Sequence, residues 1–280
     1  MSWRGQDLCP AEVVVSKASC IVKGNSGQVS TIALPGRSRY AASIMHAAPV
    51  PIRQTLLIDA DDTLWQNNVY FEHAIASFIS FLDHRTLSPS EVRAALNEVE
   101  HQNIQMHGYG VASFHRALVT CFERLSHEPV TQDHHREMER FAASILAREI
   151  ELLEDVATVL PQLAQRHQLI LMTKGNRVEQ ADKVRRSGIA HYFEAIEIPA
   201  EKHPEAYLEV CERHQLNLTH TWMIGNSPKS DINPALAAGL NAVYIYHPCT
   251  WVLEHAALDQ PGEGQRLVEI SRFGELLHWF

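Results

Sequence analysis

The sequence has few cysteines and no long apolar run. Its five cysteines, Cys9, Cys20, Cys121, Cys211 and Cys249, are odd in number and widely spaced, with no C-x-x-C pair. That pattern excludes a disulfide framework and a thiolate zinc cluster, and it fits reduced thiols in a cytoplasmic protein. No stretch reaches the roughly 18 consecutive apolar residues that a membrane-spanning helix needs. There is no excess of positive charge either: 24 Lys and Arg stand against 33 Asp and Glu, a net charge of −9. Such a balance gives no general attraction to nucleic acid or to anionic membranes. The 17 histidines are scattered, and none has the H-x-x-x-H or H-E-x-x-H spacing of a zinc site. Internal repeats and low-complexity tracts are absent.

The charge that is present is unevenly placed. Residues 1–50 hold five Lys and Arg against Asp7 and Glu12, a net +3, which leaves −12 on the remainder. This stretch reads as an unstructured N-terminal extension, with Met45 just ahead of the first apolar segment as a natural alternative start. Residues 1–44 are therefore expected to be dispensable.

Ordered structure is expected from about residue 52. Thr55-Leu56-Leu57-Ile58 is a short apolar run ending at Asp59. Similar runs lie at 169–172, 195–198, 222–224 and 242–246, with a weaker one at 267–270. Segments of helical period at 177–187, 204–214 and 230–238 separate the later runs. Short apolar strands alternating with helices predict an α/β fold, a Rossmann-like, doubly wound parallel sheet. Residues 68–150 break this rhythm and read as an all-helical insertion, with Ser88, Pro89 and Glu91 marking one helix start. The expected division is thus 51–67 with 151–280 as the α/β core, and 68–150 as the helical module.

Asp59 and Asp61 stand i, i+2 at the end of the first strand, in Asp59-Ala60-Asp61-Asp62-Thr63-Leu64. In a parallel sheet, ligands bind at the carboxyl ends of the strands. Two carboxylates turned toward one site there need a counter-charge, which a divalent cation supplies. An ordinary polar turn explains the same residues equally well on this hexapeptide alone.

The segment resembles the first motif of the haloacid dehalogenase-like hydrolase superfamily, D-x-D-x-T after an apolar strand. Leu171-Met172-Thr173 resembles the second motif, Lys202 before Pro204 the third, and Gly225-Asn226-Ser227-Pro228-Lys229-Ser230-Asp231 the fourth, G-D-x-x-x-x-D. The resemblance implies a core of that superfamily with an inserted all-helical C1 cap. It implies a phosphatase that works through an aspartyl-phosphate. In that scheme Asp59 is the nucleophile and Asp61 the general acid and base. Thr173 donates to a phosphoryl oxygen and Lys202 balances charge. Mg²⁺ is held by Asp59, Asp61 (through its backbone carbonyl), Asn226 and Asp231.

Thr63, Trp65, Lys174, Gly175, His107 and Tyr109 are the expected substrate contacts. The substrate is a small organic phosphate such as a nucleotide, flavin mononucleotide or sugar phosphate, with no nucleic acid or membrane partner, for a monomer or homodimer. Asn226 replaces the usual acid of the fourth motif and removes one negative charge. That departure leaves room for a metal-independent 2-haloacid dehalogenase or a catalytically weak binding protein. Asp61 argues for phosphoryl chemistry, because a displaced halide needs no proton. A phosphomutase differs only in the acceptor.

Overall fold

The computed structural model describes residues 53–126 and 128–280, together with three short backbone strands nearer the N-terminus. Those strands, β1 (Val13–Ser16), β2 (Ser19–Lys23) and β3 (Val29–Thr31), form an antiparallel sheet in the order β1-β2-β3. They lie within the segment expected to be an unstructured extension, and they draw on its β-branched runs Val13-Val14-Val15 and Ile21-Val22. The rest of that segment, Met45 included, lies outside the described residues.

The main body is a six-stranded, wholly parallel sheet. Its strands are β4 (Thr55–Ile58), β5 (Gln168–Met172), β6 (Ala195–Glu197), β7 (Thr221–Gly225), β8 (Asn241–Ile245) and β9 (Leu267–Ile270). Their order is β6-β5-β4-β7-β8-β9, with every neighbouring pair parallel. All six expected runs are strands, including the weak one at 267–270. The order reverses beside β4, so the chain leaves β4 toward β5 on one side and meets β7 on the other. A crevice opens at the carboxyl ends of strands at such a point.

Helices cover both faces, which explains why the strands read as continuous apolar runs rather than alternating ones. Leu56, Ile58, Leu169, Leu171, Trp222 and Ile224 face one way, onto α5 (Val156–Arg166) and the C-terminal segment with Phe273 and Phe280. Leu57, Ile170, Met172 and Met223 face the other way, onto α7 (Pro204–Arg213). On the α5 side, Val184 of α6 (Arg177–Arg186) joins the same cluster.

Between β4 and β5 the chain forms four helices: α1 (Asn68–Leu82), α2 (Pro89–His107), α3 (Val111–Leu125) and α4 (Gln132–Leu146). These have their own core, centred on the fully buried Phe78, Leu96, Leu118 and Met138. The start of α2 is the expected capping box: Ser88 accepts from Glu91 N, Glu91 reaches back to Ser88 N, and Pro89 is the first helical residue. The connections into and out of the insertion pair with each other. Gln66 N donates to Glu151 O at 2.9 Å, Leu153 N to Leu64 O at 2.9 Å, and Trp65 bridges Leu152.

Candidate active site

The site is built where β4, β5 and β7 end. Asp59 follows β4 directly, and its backbone N–H donates to Ile224 O at the end of β7. The chain then coils tightly. Asp62 takes a left-handed backbone (φ 60°), and its buried carboxylate accepts from Asn67 N and Asn68 N. Burial pushes Asp62 up to about 7, against the pull of those N–H groups. This side chain anchors the start of α1 and turns Asp59 and Asp61 toward one cavity. No role for it is legible in the sequence, because its carboxylate bonds N–H groups five and six residues on, beyond the reach of a local Asx turn.

Lys202 is the centre of charge. The residue is 3% exposed, and its ammonium lies 2.5 Å from Asp59 Oδ1 and 2.7 Å from Asp231 Oδ1. Burial alone would depress a lysine, but Asp231 and Asp59 outweigh it and raise Lys202 above its usual range. Burial, reinforced by Asp231, raises Asp59 to about 7 against the opposing pull of Lys202. Two carboxylates face one ammonium here, so a negative charge is left over.

Asp231 sits in a wide turn at Pro228–Ile232 that joins β7 to the short helix α8 (Asn233–Ala237). Its Oδ2 accepts from Ser227 N at 2.9 Å. A side chain at Gly225 would place its Cβ 2.2 Å from that same oxygen, so only glycine lets the turn fold back this closely. Asn226 Nδ2 donates to Thr250 Oγ1 at 3.0 Å, which turns its Oδ1 to Thr63. The Thr63 hydroxyl lies 3.1 Å from both Asn226 Oδ1 and Asp59 Oδ2. One hydroxyl proton serves one of them, so acceptor oxygens outnumber donors at this point.

Asp61 is held differently. Lys183 Nζ lies 2.9 and 2.8 Å from its two oxygens, Gln180 Nε2 3.0 Å from Oδ2, and Trp65 Nε1 2.7 Å from Oδ1. Gln180 and Lys183 stand i, i+3 on one face of α6, a spacing that could have marked them as partners. The structure thus sets Lys202 against Asp59 and Asp231, and Lys183 against Asp61. Gln180 also donates to Thr173 Oγ1 at 2.7 Å, which leaves the threonine's own proton free for a ligand.

A cavity of about 170 Å³ lies over these groups, between the strand ends and the helical insertion. Asp59, Asp61, Thr173, Lys202, Asn226 and Asp231 all line it, as do Lys174, Gly175 and Tyr109. The structure therefore gathers nine of the twelve expected site residues. Three stand elsewhere. Thr63 is behind Asp59 and touches it through its hydroxyl. Trp65 is fully buried in the core and meets the site only through its bond to Asp61. His107, at the exposed end of α2, does not line the cavity: the helical phase there turns it to solvent.

Lys174 and Tyr109 line the cavity with their polar groups already engaged. Lys174 Nζ lies 2.8 Å from Glu254 Oε1, 2.9 Å from Glu201 Oε1, 2.7 Å from Ser230 Oγ and 2.9 Å from Tyr109 Oη. Glu254, Tyr109 and Glu201 overcome burial and hold this ammonium far above the lysine range. Tyr109 Oη donates to Glu201 Oε2 at 2.6 Å. Beside it, Val111 N, at the start of α3, meets both oxygens of Glu179 on α6 at 3.0 and 3.1 Å. These bonds cross from insertion to core.

A family model of haloacid dehalogenase-like hydrolases matches residues 54–239, from β4 through α8. The chain belongs to that family. Among solved structures, a haloacid dehalogenase-like family hydrolase from Xanthomonas campestris is similar over 79% of this chain and 91% of its own, with 25% identity and a TM-score of 0.65. A 2-haloacid dehalogenase from Pseudomonas syringae shares the fold over 81% of this chain and 97% of its own, at 20% identity and a TM-score of 0.53. N-acylneuraminate-9-phosphatase of Rattus norvegicus is 30% identical over 96 residues, which are 32% of this chain and 39% of that enzyme. The sheet is thus that of a haloacid dehalogenase-like hydrolase, and no helix among the described residues is long and apolar enough to cross a membrane.

Proposed function

We propose that this hydrolase is a Mg²⁺-dependent phosphatase of small organic phosphates, with the helical insertion acting as its cap. The observation that carries the reading is Asp61. It faces the same cavity as Asp59 and is oriented by Lys183, Gln180 and Trp65, although displacement of a halide has no use for a proton-transfer group at that place. The partial likeness to N-acylneuraminate-9-phosphatase supports the same class.

The donor set suits a hard cation. Asp59, Asp231, the Asn226 amide and the Asp61 carbonyl offer oxygen only, and the unbalanced carboxylate and the surplus acceptor beside Thr63 favour a positive guest. Among the described residues no group of three or more His, Cys, Asp and Glu side chains is placed to hold a metal by itself. Bound Mg²⁺ would neutralise charge on nucleophile and phosphate.

The protein's own residues perform the rest. Asp59 attacks phosphorus and forms an aspartyl-phosphate as the P–O bond to the alcohol breaks. Asp61, protonated from solvent as it turns away from Lys183, gives the departing oxygen that proton, then takes one from the water that cleaves the acyl phosphate. Turning to that oxygen exchanges one of its present hydrogen bonds. Thr173 donates its free proton to a phosphoryl oxygen, and Lys202 holds Asp59 in place while charge shifts onto phosphate. The test is phosphate release from a panel of nucleotides, flavin mononucleotide and sugar phosphates, with Mg²⁺ and with EDTA. Release that depends on Mg²⁺ and disappears in Asp59→Asn and Asp61→Asn is expected. Undiminished turnover in EDTA, or activity in Asp59→Asn, would overturn the mechanism.

A further inference from the structure

The cavity has two unlike walls. At the strand ends the polar side chains are bonded to one another. On the insertion side Phe71, Ile75, Ile104 and Phe114 make an apolar surface, interrupted by Glu100 of α2 and Ser113 of α3. Glu100 is 6% exposed and Ser113 4%, and neither Glu100 Oε2 nor Ser113 Oγ has a hydrogen-bond partner. Asn103, one turn further along α2, likewise leaves its amide Nδ2 unpaired. A buried polar atom without a partner costs stability, and a carboxyl costs most. An insertion selected for packing alone would carry Leu or Ala at these places, as it does at Leu96 and Ala117.

We infer that Glu100 and Ser113 form a subsite for the alcohol portion of the substrate, selecting phosphate monoesters whose leaving group ends in a neutral hydroxyl beyond an apolar stem. The inference rests on the phosphatase reading and deepens it. A hydroxyl both donates and accepts, so it pairs with a carboxyl in either protonation state and with the serine. Burial holds Glu100 up at about 7, only partly opposed by Arg93, so both states exist near neutrality. A carboxylate-ended leaving group would meet repulsion from the ionised form. The apolar stem would lie against Phe71 and Phe114, whose rings pack edge-to-face at 5.2 Å and give that wall a fixed shape.

The experiment uses the full chain and two matched probe series, n-alkyl phosphates and ω-hydroxyalkyl phosphates from propyl to hexyl. At one chain length the hydroxylated probe should exceed its alkyl partner in kcat/KM by roughly ten- to a hundredfold. Glu100→Leu and Ser113→Ala should each erase most of that preference. Glu100→Leu should also raise Tm in the unliganded protein, because it removes an unpaired buried carboxyl. The matching phosphonates, which are not turned over, give a second readout: selective thermal stabilisation by the hydroxylated member, lost in either variant. A protein that releases no phosphate but keeps the hydroxyl preference with phosphonates would fail the phosphatase reading and retain the subsite. Equal kcat/KM and equal stabilisation by both series would overturn the subsite and leave the phosphatase reading standing. If Glu100→Leu does not fold, Ser113→Ala decides by the same two readouts.

Discussion

The two walls of one cavity are built on opposite rules. At the strand ends, Asp59, Asp231 and Lys202 form a closed set, Asp61 is held by three donors, and Thr173 is oriented by Gln180. On the insertion side, Glu100 Oε2 and Ser113 Oγ are buried without a hydrogen-bond partner. Groups that must keep one geometry through a reaction are held by neighbours, because in a buried site a small misplacement is costly. Groups that await a particular guest are left open. Pairing separates the machinery for chemistry from the surface for choice.

That contrast can be broken at the paired wall first. Lys202→Met removes the ammonium between two buried carboxylates. We expect activity to fall by about a thousandfold or more, with stability lowered by about 3–5 kcal/mol. Steady-state kinetics and chemical denaturation measure the two effects. A variant near wild type in both would mean that the closed set is decoration.

A smaller effect is expected where the walls meet. Gly110 has φ 120°, outside the range of residues with a side chain, and a Cβ there would lie 2.9 Å from Asn176 Cβ. Gly110→Ala should cost about 1–3 kcal/mol of strain or force the insertion away from Glu179. A raised KM is the expected kinetic sign of the second outcome, and thermal denaturation reports the first.

A stability effect of similar size, with no expected loss of catalysis, tests the open wall without substrate. Glu100 titrates at about 7 in the fold against an ordinary value of 4.5, with burial as the cause. The native state therefore binds more protons than the unfolded chain between those pH values, and stability falls as pH rises through that window. Glu100→Gln should remove up to about 3 kcal/mol of this pH dependence. Urea denaturation at pH 5 and pH 8 checks it; an unchanged slope would mean that the carboxyl is solvated after all.

The sequence made the machinery legible and the surface for choice obscure, for a physical reason. Asp59, Thr173, Lys202 and Asp231 follow strands whose apolar runs are easy to see, and a strand end fixes where the next side chain goes. Lys174 and Tyr109 are near the site but serve the junction between insertion and core, a role that depends on Glu201 and Glu254 far along the chain. His107 failed by helical phase alone, since its turn of α2 faces solvent. Glu100 and Ser113 sit inside amphipathic helices, where one polar residue on the packed face looks like a boundary of the stripe. Only the arrangement of α2 and α3 shows that both are buried.

The paired connections at Leu64–Gln66 and Glu151–Leu153 bear on how the chain finds its fold. β4 must pair with β5 although the whole insertion lies between them. A disordered loop of that length would make the pairing slow, because its closure entropy precedes any gain from contact. A four-helix unit rich in local contacts, whose ends leave side by side, behaves as a short turn once it has formed. The insertion thereby lengthens the chain between β4 and β5 without lengthening the gap that their register, Ile58 against Leu171, has to close.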